Sequence, residues 1–114
     1  MRRGEIRWGR PRLPGLESKR RPFLVVSHDL FNRNDLYQKV LVVHLTTTRR
    51  AGGPYDWEVD LPRGAAGLRV SSVVKCNEVY TIPKSRLEDL IGTIPSGDLR
   101  KVDAALAIAL GLSG

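Results

Sequence analysis

The stretch VLVVHLTTT, residues 40–48, decides the fold. It is a nearly continuous apolar run, rich in β-branched residues, that ends in three threonines. β-branched side chains favour strands, and a strand that is apolar on both faces is typical of the middle of a sheet. We therefore predict a sheet with this segment as a central strand.

Strand patterns on both sides of this segment extend the sheet. Alternating or short apolar runs predict strands at residues 5–8, 23–26, 57–61, 70–76 and 78–82, the last two separated at Asn77. In the third of these, Trp57, Val59 and Leu61 are expected to be buried, and Glu58 and Asp60 to face water. Glycine and proline predict a long loop at 9–20, and polar residues predict a turn at 30–38.

Helices are expected only near the end of the chain. Leu87, Leu90 and Ile91 predict a short helix over residues 84–90. Apolar residues spaced by three or four predict an amphipathic helix over 97–110, with Ser96 as its N-cap and Gly111 as its left-handed end. Strands followed by helices indicate an α+β fold, a small barrel or strongly bent sheet with a C-terminal helix on it.

Length and composition limit the function classes. A chain of 114 residues with 41% hydrophobic and 27% charged residues is predicted to form a single globular domain, residues 1–114. The single cysteine, Cys76, cannot form an internal disulfide, and with two histidines far apart it gives no spacing for a metal site. No apolar run approaches the length of a membrane span or a secretion signal. We expect a cytoplasmic protein without metal or cofactor.

Positive charge is concentrated at the beginning of the chain. The formal net charge is +7, and residues 1–21 hold eight basic and two acidic residues. Such a segment attracts polyanions, either a nucleic acid or the acidic tail of a protein partner. A solvated, solubilising surface is the other interpretation.

Few residues offer chemistry, because the motifs for nucleotide hydrolysis and zinc proteases are missing from the sequence. RNA cleavage without metal needs a proton acceptor, a proton donor and fixed positive charge for the phosphorane. Arg21, at the beginning of a strand, is suited to the last task, although on the pattern alone a solvated charge pair with Arg20 is the more common explanation. His28 and His44 are more simply interpreted as structural than as an acid–base pair.

The order of short motifs along the chain resembles the MazF/PemK family of toxin endoribonucleases. The motifs are RGEI at 3–6, RPFLVV at 21–26, FNR at 31–33, Leu45-Thr46, SVV at 72–74, TI at 81–82 with KSRL at 84–87, Ile91-Gly92, and Val102-Asp103 with Ala105-Leu106. The resemblance covers residues 3–112.

The resemblance implies a small SH3-like β-barrel with appended helices that works as a homodimer. It implies sequence-specific, metal-independent cleavage of single-stranded RNA, mainly mRNA, to a 2′,3′-cyclic phosphate and a 5′-OH, which inhibits translation and growth. It also implies a cognate MazE-like antitoxin whose flexible segment occupies the RNA groove.

The same resemblance assigns site residues. Arg21 and Thr46 correspond to the family's catalytic arginine and threonine. Arg21 is expected to stabilise the phosphorane and to take part in proton transfer, and Thr46 to bind the scissile phosphate. The residues expected to bind RNA are Glu17, Lys19, Arg20, Thr47, Thr48, Arg49, Lys75, Asn77 and Glu78.

Two other functions are compatible with this sequence. One is a non-catalytic toxin that binds a protein target, as the related CcdB-type toxins do, and the other is a basic nucleic-acid-binding module. Cleavage in the presence of a chelator separates the first interpretation from both.

Overall fold

The computed structural model describes residues 1–15 and 19–112. Within them the chain forms, in order, β1 (Glu5–Gly9), β2 (Arg21–Val25), α1 (Asp29–Asn32), β3 (Lys39–Thr46), β4 (Glu58–Leu61), β5 (Ser72–Pro83), β6 (Leu87–Thr93) and α2 (Ser96–Ala109). Short 3₁₀ turns lie at Ala65–Gly67 and Lys84–Arg86. None of the described helices is long and apolar enough to cross a membrane.

The strands form one sheet of six, in the order β4-β5-β3-β2-β1-β6, and neighbouring strands are antiparallel. β3 lies inside the sheet between β5 and β2, which confirms the prediction of a central strand. The edge strands β4 and β6 do not pair with each other in the described part of the chain, so the sheet is open. The α+β class and the C-terminal helix are confirmed.

Apolar side chains pack on both faces of β3. Val43 and Leu45 belong to a core that includes Val102 and Ala105 of α2. On the opposite face, Val42 lies in a second core with Phe23 of β2 and other apolar residues. A strand buried on both sides cannot show polar alternation, which explains the continuous apolar run.

The predicted helix over 84–90 is wrong. Lys84–Arg86 is a single 3₁₀ turn, and the chain continues as β6, which pairs with β1 from Glu5 opposite Thr93 to Gly9 opposite Leu87. This pairing has two register irregularities, so the apolar side chains do not alternate as in a regular strand. Hydrogen bonds to β1 thus override a helix-like spacing of leucines.

Three smaller differences concern helix and strand ends. The predicted turn at 30–38 contains most of the short helix α1, where the His28 side chain accepts a hydrogen bond from the Leu30 N–H at 3.0 Å. Helix α2 is preceded by Pro95 and has no side-chain cap, so Ser96 is not the N-cap. The two predicted pieces around Asn77 are one strand, β5, with a register shift there, and Gly111 is left-handed as predicted.

Gly92 on β6 allows a close approach of the turn that follows β4. A Cβ atom at Gly92 would overlap the carbonyl oxygen of Ala66. We expect Gly92→Ala to lower the free energy of unfolding by about 2 kcal/mol, because backbone must move to accommodate it. Urea unfolding followed by circular dichroism measures this change. Gly52→Ala is the control, since a Cβ there meets nothing within 4 Å, and equal losses in both variants would contradict the close-approach argument.

Candidate active site

The register between β2 and β3 brings Arg21 and Thr46 close in the sheet. Phe23 pairs with His44 across the two antiparallel strands. Continuing this register by two residues places Arg21 opposite Thr46. Because side chains alternate between the faces of a strand, these four residues lie on the same face of the sheet, opposite the face covered by α2.

Arg21 is the first residue of β2 and is held by its pairing with Gly9 of β1. Its side chain is half-buried, and its Nε atom is buried with no hydrogen-bond partner among the residues that the structure describes. Nearly all buried polar atoms in proteins are paired, so an unpaired guanidinium donor is unusual. Such a group can donate to the oxygens of an anion without first breaking another contact.

A cleft of about 500 Å³ opens next to the end of β3. Five of the residues predicted to act in the site line it: Thr46, Thr48, Arg49, Lys75 and Glu78. The Thr46 hydroxyl accepts a hydrogen bond from the Thr48 N–H at 3.2 Å, which fixes the turn after the strand. The cleft therefore combines hydroxyl groups and cations, the groups that contact phosphates.

Glu58 also lines this cleft, and the expectation that it faces water is wrong. Its side chain is only 1% exposed. Arg50 donates two hydrogen bonds to its carboxylate, at 3.1 and 2.8 Å, and Lys75 donates one at 2.5 Å. The Tyr55 N–H donates a fourth at 3.0 Å. Alternation predicted water on this face, but the cations bury the carboxylate instead.

The hydrogen bonds from Arg50, together with those from Lys75 and Tyr55, outweigh burial and hold the pKa of Glu58 at about 2. A lowered carboxyl pKa stabilises the fold above the unfolded value of 4.5, and this stability is lost as the pH falls toward about 2. We expect Glu58→Gln to lower the free energy of unfolding by about 3 kcal/mol at neutral pH. The difference from the wild type should disappear on acidification, as measured by urea unfolding at several pH values. Equal stability at neutral pH would contradict this interpretation.

Aromatic rings extend the cation cluster beyond Glu58. The Arg50 guanidinium lies 3.9 Å from the centre of the Tyr55 ring, and Tyr55 stacks on Trp57 with ring centres 4.5 Å apart. Arg49 forms a separate ion pair with Asp60 at 2.7 Å. These contacts hold the segment between β3 and β4 along one side of the cleft.

His44 also lines the cleft, next to Glu78. Its ring packs near Phe23, with centres 6.0 Å apart, and its Nδ1 lies 3.9 Å from Glu78 Oε2. Its Nε2 is buried and has no hydrogen-bond partner in the described part of the chain. Burial lowers the pKa of His44, the positive charges of Arg21 and Lys75 lower it further, and Glu78 opposes them. The imidazole is therefore held in its neutral form at neutral pH.

Two predicted RNA-binding residues, Arg20 and Thr47, lie in a different cleft. This second cleft, of about 690 Å³, is also lined by Trp8 and Arg69. The Arg20 guanidinium lies 4.8 Å from the Trp8 ring centre and forms ion pairs with Glu88 and Asp89 of β6. The neighbouring residues Thr46 and Thr47 therefore line different clefts.

Arg21, Lys19 and Asn77 are not among the residues that line either cleft. Lys19 is exposed in the loop before β2, and Asn77 is exposed at the register shift in β5. Glu17 lies outside the described residues. Part of the basic charge of residues 1–21 is balanced locally, for example by the ion pair of Arg10 with Glu88 at 3.7 Å.

The sequence interpretation missed the role of Glu58 and preferred a structural role for His44, in the core or on the surface, over a role as acid or base. Glu58 was unrecognisable because its two cations come from separate segments, at positions 50 and 75. His44 is indeed almost buried, yet it borders the cleft. The only available signal was its spacing of two residues from Thr46, which places both on one face of a strand.

Comparisons with known proteins identify the family of this chain. Residues 2–110 match the family described as PemK-like, MazF-like toxin of type II toxin-antitoxin system. The probable endoribonuclease MazF of Mycolicibacterium smegmatis is 32% identical, and the alignment covers 100% of both chains.

Solved structures show the same fold. A mycobacterial endoribonuclease in complex with its cognate antitoxin superposes with a TM-score of 0.82 at 28% identity, covering 100% of this chain and 98% of the other. MazF in a MazE–MazF structure from Deinococcus radiodurans gives a TM-score of 0.75 at 26% identity, covering 99% and 97%. Since the match spans nearly the whole sequence and the whole sheet, this chain belongs to the PemK/MazF family of toxins of type II toxin–antitoxin systems.

Proposed function

We propose that this toxin is an endoribonuclease that cuts single-stranded RNA, mainly mRNA, at specific short sequences. Attack of a ribose 2′-OH on the adjacent phosphorus leaves a 2′,3′-cyclic phosphate and a 5′-OH, and no metal takes part. Loss of mRNA then inhibits translation and growth. The relatives named endoribonuclease support the activity.

One observation carries the catalytic part of the proposal. Arg21 and Thr46 stand at the same end of two paired strands, on the same face, and Thr46 lines an open cleft. Fixed donors aimed at developing charge stabilise a transition state more than solvent does. Arg21 stabilises the phosphorane and assists proton transfer, and the Thr46 hydroxyl donates to the scissile phosphate.

RNA binds along the cleft next to the end of β3. Arg49 and Lys75 neutralise backbone phosphates, and Thr48 and Glu78 contact the nucleotides beside the cut. Arg20 and Thr47 bind RNA in the second cleft. The RNA therefore passes over the ends of β2 and β3. The remaining proposed RNA contacts are Glu17, Lys19 and Asn77.

The partners follow from the same surface. A MazE-like antitoxin blocks the RNA path with a flexible acidic segment. The neighbours solved with an antitoxin support the existence of such a partner. The toxin acts in the cytoplasm as a homodimer. Each chain is a single domain, and its sheet curls as in an SH3-like barrel.

Cleavage in the presence of a chelator tests this proposal. Purified protein is incubated with a defined single-stranded RNA in excess EDTA, and the ends of the fragments are mapped. We expect discrete cuts that leave a cyclic phosphate and a 5′-OH. RNA that stays intact over varied sequences while still binding would contradict the proposal and favour a binding toxin or a nucleic-acid-binding module.

A further inference from the structure

We propose that His44 is the general base of this endoribonuclease and that Glu78 stabilises the imidazolium that forms. The inference rests on the proposed function, because it assigns the group that accepts the proton of the attacking 2′-OH. His44 belongs to none of the motifs that carry the family resemblance, and it is identified here by its position in the structure.

His44 lies beside Arg21 and Thr46 in the β2–β3 strand pair. It precedes Thr46 by two residues on β3, so both side chains lie on the same face and line the same cleft. Across the sheet it faces Phe23, which follows Arg21 by two residues on the same face of β2. A base at this position lies next to the groups that hold the phosphate, as proton transfer requires.

The imidazole of His44 has one nitrogen near a carboxylate and one nitrogen without a partner among the described residues. Nδ1 is 3.9 Å from Glu78 Oε2, which is too far for a direct hydrogen bond. In this proposal the attacking 2′-OH donates its single hydrogen to Nδ1 at about 2.8 Å, with the Glu78 carboxylate next to it. Nε2 of His44 and Nε of Arg21 are both buried and unpaired in the described part of the chain. Two unpaired nitrogens at the same end of the paired strands are expected at a functional site rather than in a core.

One neutral histidine accounts for the proton transfers of the cleavage reaction. Nδ1, unprotonated in the tautomer that carries hydrogen on Nε2, takes the proton of the 2′-OH. The oxygen then forms a bond to phosphorus, and the P–O5′ bond breaks with its electron pair on O5′. That oxygen takes a proton from solvent in the open cleft, and His44 returns its own proton to solvent. The carboxylate of Glu78 faces the transient imidazolium and offsets its charge.

The surrounding charges support a base that is neutral at physiological pH. The charged groups that face His44 are Arg21 on β2 and Lys75 and Glu78 on β5. Burial lowers the pKa of His44 below its ordinary value of 6.5, and both cations act in the same direction. Because the base must be unprotonated, the cleavage rate should fall as the pH drops through a value below 6.5 and should be level above it.

The pH dependence of single-turnover cleavage in EDTA tests this inference. The wild type, His44→Gln and Glu78→Gln are compared between about pH 5 and pH 8, where Glu58 stays ionised. His44→Gln should cut about 100-fold more slowly at neutral pH, and it should lose the acidic limb of the profile, which is the fall of the cleavage rate at low pH. Glu78→Gln should move this fall to lower pH, because the carboxylate raises the pKa of His44.

His28→Asn is the matched control. His28 is exposed and caps α1, and asparagine keeps a side-chain acceptor for that position. This variant should cut at the wild-type rate with the wild-type profile. Circular dichroism confirms folding of each variant. If His44→Gln does not fold, the NMR titration of His44 in the wild type replaces it, and its pKa must coincide with the kinetic limb.

The outcomes separate the two proposals. Failure of the wild type to cut any RNA would overturn the proposed function. Cleavage by the wild type together with an unchanged rate and limb in folded His44→Gln would overturn only the role of His44. The same holds if the NMR titration of His44 and the acidic limb of the wild type lie at different pH values.

Discussion

Arg21→Ala is expected to lower the single-turnover rate of RNA cleavage by about 1,000-fold, because removal of a fixed donor to the transition state typically has this effect. The guanidinium carries a permanent charge and can contact two phosphate oxygens at once. Its Nε has no other hydrogen bond in the described part of the chain, so the substitution removes no structural contact of that atom. The fold should remain intact by circular dichroism.

Two further variants serve as controls for Arg21→Ala. Arg21→Lys keeps the charge but loses the planar fork, and its rate should lie between those of the wild type and Arg21→Ala. Arg100→Ala removes a cation from α2, which packs on the opposite face of the sheet, and it should leave cleavage unchanged. If folded Arg21→Ala cuts at the wild-type rate, Arg21 is not part of the active site.

Thr46→Val is expected to lower the cleavage rate by about 100-fold. Valine has nearly the shape of threonine but cannot donate to the scissile phosphate. The Thr46 hydroxyl also accepts from the Thr48 N–H, so a modest loss of stability should accompany the change. Single-turnover kinetics with saturating RNA separate the lost rate from weaker binding.

The controls for Thr46 distinguish chemistry from structure. Thr46→Ser keeps the hydroxyl and should retain most of the activity. Thr93→Val changes an exposed threonine at the end of β6 and should have no effect on cleavage. If Thr46→Ser is as slow as Thr46→Val, the methyl group and not the hydroxyl carries the effect, which would contradict the proposed contact.

Much of the sheet could be predicted because its strongest signals are local. The run at 40–48 is apolar on both sides, and β3 has a core on each face. Residues 84–90 have a helix-like spacing of leucines but continue into β6, an edge strand whose hydrogen bonds come from β1, which lies 78 to 88 positions earlier in the chain. No local pattern records such a distant partner.

In the candidate site, too, the sequence identifies some residues, while the contacts between distant segments appear only in the structure. Arg21 and Thr46 could be named through the order of motifs, but their proximity depends on the β2–β3 register. Glu58 is buried only because Arg50 and Lys75 arrive from other segments. Sequence alternation describes one strand at a time, so a carboxylate surrounded by distant cations looks like any solvent-facing residue.

The central claim is that the ribose 2′-OH attacks the phosphorus without a metal ion. Two RNAs that differ only at the mapped cut, one with the 2′-OH and one with 2′-H at that nucleotide, are compared in excess EDTA. We expect the first to be cut to a 2′,3′-cyclic phosphate and a 5′-OH, and the second to stay intact at that position. Equal cleavage of both RNAs at the mapped position would contradict the account.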